Sequence, residues 1–179
     1  MRLVLLGIVG FLLIGCVTTL SGTINTALYT VPPQQPLFTV ISPDSLSLTE
    51  RNIVGLIEQK MLERGYQKVT SYEVVNVAVL YKYSIGPGHI DVSSSPDFVW
   101  GGQKVESTTT YPRFFQIIVV DLEKSKIPEK IAIIWQGEVY SSGSSANIST
   151  LAVHFVNVLF ENYESSVTDK KFLKVVEDW

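Results

Sequence analysis

The residues of this chain to test first for chemistry are its two histidines, its carboxylates and its glycine pairs. His89 stands two places before Asp91, and His154 stands in an apolar run. A metal needs several ligands converging on one point, and neither histidine has a Cys, His or carboxylate at helical or hairpin ligand spacing. His154 therefore reads as a partly buried structural residue, and His89 with Asp91 as a weak pair. Asp121 and Glu123 flank Leu122 at a strand end and share a face, which is common at hairpin edges and does not define a general acid and base. Serines abound, but nothing resembles a G-x-S-x-G elbow. Gly86-Pro87-Gly88 and Gly101-Gly102 lack the strand-to-helix setting of a phosphate loop, and no Lys or Ser/Thr follows in register, so they read as turns. The expectation is a protein that is not an enzyme and uses no metal or cofactor.

Composition narrows the class further. With 46% hydrophobic and 17% charged residues in 179, a packed core is expected, in one ordinary domain. The net charge of −3 comes without any basic block, which argues against nucleic acid as a partner. A single cysteine, Cys16, allows neither an intrachain disulfide nor a cysteine zinc cluster.

Cys16 ends a distinctive stretch. Met1 and Arg2 precede the apolar run Leu3 to Ile14, and Gly15 follows it, which is the order of a secretory signal peptide. The uninterrupted run is shorter than the roughly 20 residues a membrane-spanning helix needs, unless it is stretched to Leu20 across two threonines. Leu13-Ile14-Gly15-Cys16 resembles the bacterial lipobox. That resemblance implies residues 1–15 are a lipoprotein signal peptide, removed to leave Cys16 as an acylated N-terminus. Cys16 would then be a membrane tether, since two or three acyl chains, at about 0.8 kcal/mol per buried CH₂, hold a protein lastingly. Val17 follows where lipoproteins kept in the inner membrane often carry Asp, so the analogy favours the periplasmic face of the outer membrane.

The elements that follow set the expected fold. Residues 16–36, rich in Thr, Ser, Gly and Pro, read as a tether. A short strand is expected at 37–41. Ser47-Leu48-Thr49-Glu50 forms a capping box for a helix with Ile53, Val54, Ile57, Met61 and Leu62 inward, ended at Gly65. Alternation predicts a strand over 74–83, and β-branched and aromatic content predicts two more, over 114–122 and 131–140. A second, mostly apolar helix is expected over 150–163, with His154, Asn157 and Glu161 as its polar strip. Residues 164–179 read as an amphipathic helical tail. The prediction is an α+β two-layer sandwich: a mainly antiparallel sheet of about four strands, two helices on one face, and a short C-terminal helix, with the domain spanning 37–163. Residues 84–113 form a long flexible excursion in which Phe98 and Trp100 would be partner-binding anchors.

Ile134-Trp135-Gln136-Gly137-Glu138-Val139, after a strand ending Val120-Asp121, resembles the "vD … vWxGxa" signature of small bacterial envelope lipoproteins defined only by a domain of unknown function. Leu62-Glu63-Arg64-Gly65-Tyr66 is similar to that family's helix end, and Leu159-Phe160-Glu161-Asn162-Tyr163 to its last helix. The resemblance implies a fold and a compartment and no catalytic residues. In physical terms, the Trp135 ring is expected to fill the core while its N–H finds a carbonyl, with Gly137 permitting a close approach. The expected function is a non-enzymatic lipoprotein, anchored by its N-terminal lipid, that docks an envelope protein. A carrier or sensor of a small apolar ligand is the alternative, and a hydrolase built on His89 and nearby acids comes third.

Overall fold

The computed structural model describes residues 17–44, 47–71, 73–97, 102–126 and 131–177. Its strands are β1 (Val17–Leu28), β2 (Leu37–Ile41), β3 (Gln67–Lys68), β4 (Val77–Ile85), β5 (His89–Asp97), β6 (Gly102–Asp121), β7 (Ala132–Gly143) and β8 (Val167–Glu177). Its helices are α1 (Leu48–Glu63) and α2 (Ile148–Glu161). Among the described residues these eight strands make one mixed sheet, ordered β3-β2-β4-β6-β7-β1-β8, with β5 paired to the free length of β6. Pairing is parallel where β2 meets β3 and β4, and antiparallel elsewhere.

This corrects the expected sheet of about four strands. The segment read as a tether is β1, an inner strand between β7 and β8. Its polar composition hides a two-residue period: Leu20, Ile24 and Thr26 are all buried on one face. Gly22 continues that face, and a Cβ there would lie 2.2 Å from the Tyr140 carbonyl oxygen and 2.8 Å from the Phe172 ring. Glycine at this position is a requirement of close packing.

The expected C-terminal helix is β8, lying antiparallel to β1. Phe172 faces inward against Gly22, while Leu173 points to solvent at 68% exposure. Lysines on the inward face obscured the alternation, and they are placed there for a reason. Lys174 Nζ pairs with Glu161 at 2.6 Å and Lys170 Nζ donates to Asn162 Oδ1 at 2.7 Å, both at the C-terminal end of α2, where positive charge is favoured. The excursion at 84–113 is ordered strand in its described part. β4 and β5 run along one 20-residue β6, interrupted at Gly86-Pro87-Gly88.

Both helices contribute to one core with one face of the sheet. Alternation puts Val77, Val79 and Tyr81 of β4, Phe115, Ile117 and Val119 of β6, and Trp135 and Val139 of β7 on that face, all buried. Ile53, Ile57 and Met61 of α1 and Leu151, Phe155 and Leu159 of α2 close over them. Trp135 is fully buried, as expected, against Phe160 and Tyr163. A Cβ at Gly137 would stand 2.4 Å from the indole ring, so the missing side chain is the space the indole occupies. The indole Nε1, expected to find a carbonyl, has no hydrogen-bond partner among the described residues.

The helix ends follow the residues that cap them. Ser47 Oγ accepts from the Glu50 amide at 3.5 Å and Asn147 Oδ1 from the Ser149 amide at 3.0 Å. Gly65, at φ 84°, closes α1, and the Tyr66 amide returns to the Met61 carbonyl at 3.1 Å. The reciprocal half of the predicted capping box is not formed, because the Glu50 carboxylate is engaged by two tyrosines of β4.

Candidate functional site

Cys16, Phe98 and Trp100, the residues expected to carry lipid and partner, lie outside the described residues. Val17, next to Cys16, is already the first residue of β1. His89 Nε2 and Asp91 Oδ1 are 3.2 Å apart, with side chains 77% and 65% exposed, which is the weak surface pair the spacing predicts. Among the described residues no three of His, Cys, Asp and Glu converge as metal ligands would.

His154 lies on a different part of the molecule, in a cleft of about 240 Å³ where the end of α1 meets α2 and β8. Its polar strip, His154, Asn157 and Glu161, lines one wall, and Lys60, Glu63, Arg64 and Lys174 supply the rest with Phe160. Each charge there has a partner. Lys60 Nζ lies 2.8 Å from Glu63 and holds that carboxyl below the usual range. Lys174 is paired to Glu161. Arg64 Nη2 donates to the Phe160 carbonyl at 2.5 Å, and its guanidinium lies 5.5 Å over the Tyr163 ring. Burial, and secondarily the nearby Lys174 charge, push His154 below its ordinary value, so it is neutral at pH 7. The lining holds no hydroxyl or thiol nucleophile. The cleft joins α2 to β8 through the Lys174–Glu161 ion pair and the end of α1 to α2 through the Arg64 hydrogen bond, while Lys60–Glu63 stays within α1.

A second polar cluster escaped the sequence reading altogether. Glu50, in the first turn of α1 and part of the expected capping box, is 6% exposed. Its carboxylate accepts from the hydroxyl of Tyr81 and, at 2.8 Å, from that of Tyr83, both on β4. Ser42 Oγ completes the chain 3.1 Å from the Tyr81 hydroxyl. Burial first, and then the hydrogen bond to Glu50, raise both phenols above their ordinary value. The signal was present in the alternation that puts Tyr81 and Tyr83 on the core face, where buried hydroxyls require an acceptor.

Among the described residues the opposite sheet face carries no helix. Lys82, Phe114, Gln116, Gln136, Glu138 and Tyr140 lie on it, by register with the strands that bury the core. Glu138 Oε1 accepts from Gln116 at 2.6 Å and Gln136 at 2.9 Å, and its Oε2 from Tyr140 at 3.0 Å. Phe114 packs on Tyr140 at 5.1 Å and under the Lys82 ammonium at 5.5 Å.

The sequence matches no protein-family model and no curated protein. Its likenesses are to solved structures. A PDZ domain protein from Parabacteroides distasonis superposes with a TM-score of 0.55 at 11% identity, over 88% of this chain and 38% of that one. The chain thus spans well under half the length of that protein, and the likeness is one of fold alone. A DUF4136 family protein from Bacteroides thetaiotaomicron gives a TM-score of 0.44 at 17% identity, over 78% of this chain and 94% of its own. A PelC dodecamer from Paraburkholderia phytofirmans gives 0.43 at 9% identity, over 77% and 96%.

Proposed function

We propose that this chain is a lipid-anchored envelope protein of non-enzymatic type, held at Cys16 on the periplasmic face of the outer membrane, that docks another envelope protein. The observation that carries it is the start of β1: one residue after the cysteine of the lipobox-like motif the chain is already strand, paired to β8. An acyl group on Cys16 would hold the folded body against the bilayer with no slack between them. The helix-free sheet face, with Leu80 38% and Tyr140 45% exposed, and the paired charges of the α1–α2–β8 cleft are in keeping with a structural or interaction role.

Two measurements test it in cells. Palmitate labelling of wild type and of Cys16→Ser, with and without a lipoprotein signal peptidase inhibitor, should give label that the substitution and the inhibitor both abolish. A photo-crosslinking residue at Leu80 or Tyr140 should give a discrete adduct with one envelope protein. No label in the wild type would remove the anchor, and no discrete adduct would remove the docking role.

A further inference from the structure

The arm formed by β5 and the first half of β6 is the described part of the molecule least explained by its own packing. Among the described residues both strands are bare on their outer edges, since β5 pairs only with β6 and β7 stops at Gly143. A two-stranded ribbon of this kind is marginal in water on its own. Its register sorts its side chains sharply. Ile90, Val92 and Val105 fall on one face and are 63%, 67% and 63% exposed. His89 with Asp91, in contact at 3.2 Å, and the Lys104–Glu106 ion pair of 2.5 Å occupy the other face. The ribbon is amphipathic, with its apolar stripe uncovered.

The topology says which way it points. β7 ends level with Tyr111 of β6, and by the register of Gly22 with Ser141 it ends level with Leu20 of β1. Beyond that line run the start of β1 and the whole arm, on strands that flank β7 at about 10 Å from each other. At about 3.3 Å per residue, measured along the strands, Val17 lies about 10 Å past it and Gly102 about 30 Å. Val17, the residue after Cys16 in the sequence, therefore lies at the end of the sheet from which the arm projects. The pairing is irregular at the arm's root. Between Ile85↔Arg113 and His89↔Thr110 the β4–β5 side carries one extra residue, a bulge that bends the ribbon. Cβ atoms at Gly86 and Gly88 would meet Pro112 at 2.6 Å and Thr109 at 2.7 Å, so only glycines allow the two chains to pass here.

We infer that the β5–β6 arm is a second membrane contact, laying Ile90, Val92 and Val105 into the headgroup–acyl boundary beside the N-terminal anchor. This rests on the proposed anchorage at Cys16 for its direction. The amphipathic ribbon is the strand counterpart of an interfacial helix, with three aliphatic side chains immersed and the His89–Asp91 and Lys104–Glu106 pairs left in water. Residues 98–101 are no part of the proposed contact.

Because the chain has a single cysteine, a second one introduced at an exposed position is the only free thiol once Cys16 is acylated. Val92→Cys and Ser93→Cys, neighbours on opposite faces of the arm, would carry an environment-sensitive fluorophore on the full-length protein in phosphatidylethanolamine–phosphatidylglycerol vesicles. Doped nitroxide lipid should quench the label at 92 several-fold more than the label at 93. Intact mass of the same samples reads acylation independently. Equal, weak quenching on an acylated, vesicle-bound chain overturns the arm contact and leaves the anchor standing. Strong quenching at 92 on a chain without acyl groups, with Cys16→Ser as control, keeps the arm contact and removes the anchor. A blue-shifted label at 92 that lipid does not quench, together with crosslinks between copies, overturns the proposal in favour of a second copy of this chain. A chain neither acylated nor vesicle-bound defeats both.

Discussion

Glu50 ties the start of α1 to β4 through two phenol hydroxyls, and the tie has consequences that can be measured. Glu50→Ala leaves buried hydroxyls without an acceptor and should cost about 1–3 kcal/mol in chemical denaturation, whereas Glu50→Gln retains an acceptor and should cost less. The pH dependence has a definite sign. Tyr81 and Tyr83 have folded values raised above the roughly 10 of an unfolded tyrosine, so the folded state retains protons that the unfolded state releases. Their contribution is fully present below pH ~10 and is lost as pH rises through the folded values. Stability should therefore be flat up to about pH 10 and fall above it, with the double variant Tyr81→Phe and Tyr83→Phe falling less steeply in that window. Tyr66 and Tyr163, joined hydroxyl to hydroxyl at 2.7 Å and both raised chiefly by burial, add to the same alkaline loss. At the core, Trp135→Ala should cost about 3–5 kcal/mol, read as a lowered denaturation midpoint. Gly137→Ala should cost about 1–3 kcal/mol by driving a methyl into the indole ring.

At the scale of elements, the sharpest test concerns β1. An inner strand should show amide exchange at Gly22 to Thr26, where β7 and β8 flank it, as slow as in β7, whereas a tether would exchange within seconds. Gly22→Val should destabilise the sheet by about 1–3 kcal/mol or more, because no rotamer relieves a Cβ set against the Tyr140 carbonyl. Both helices, the Ser47 cap of α1 and the strands at 37–41, 77–85, 114–121 and 132–140 were legible, because their apolar residues recur at the period of the element that holds them. β1 and β8 were not. Thr18, Ser21, Thr23 and Asn25 make β1 polar in composition, although Leu20 and Ile24 keep the period of two. In β8, Lys170 and Lys174 face inward to meet the end of α2, a contact between distant segments that no local pattern reveals. The arm was read as a flexible excursion for a third reason: a ribbon with, among the described residues, three large apolar side chains on one face leaves a composition of Ser, Thr and Gly that looks like a loop. For the site, the loose His89–Asp91 pair and the partial burial of His154 were legible, while Glu50 was hidden because its partners come from β4.

At the scale of the molecule, the parts have a common direction. The start of β1, the end of β8 and the arm lie at one end of the sheet, and α1 and α2 cover one of its faces. A body held at Cys16 would therefore present the arm to the bilayer and leave the helix-free face, with Lys82, Glu138 and Tyr140, turned sideways to its neighbours. This arrangement depends on lipid at one atom, the Cys16 sulfur. Mass spectrometry of the intact protein extracted from membranes tests it most directly. The account predicts a chain that begins at Cys16 and carries a thioether-linked diacylglycerol with an amide-linked acyl chain. A mature chain with an unmodified thiol, or one that retains residues 1–15, would contradict it.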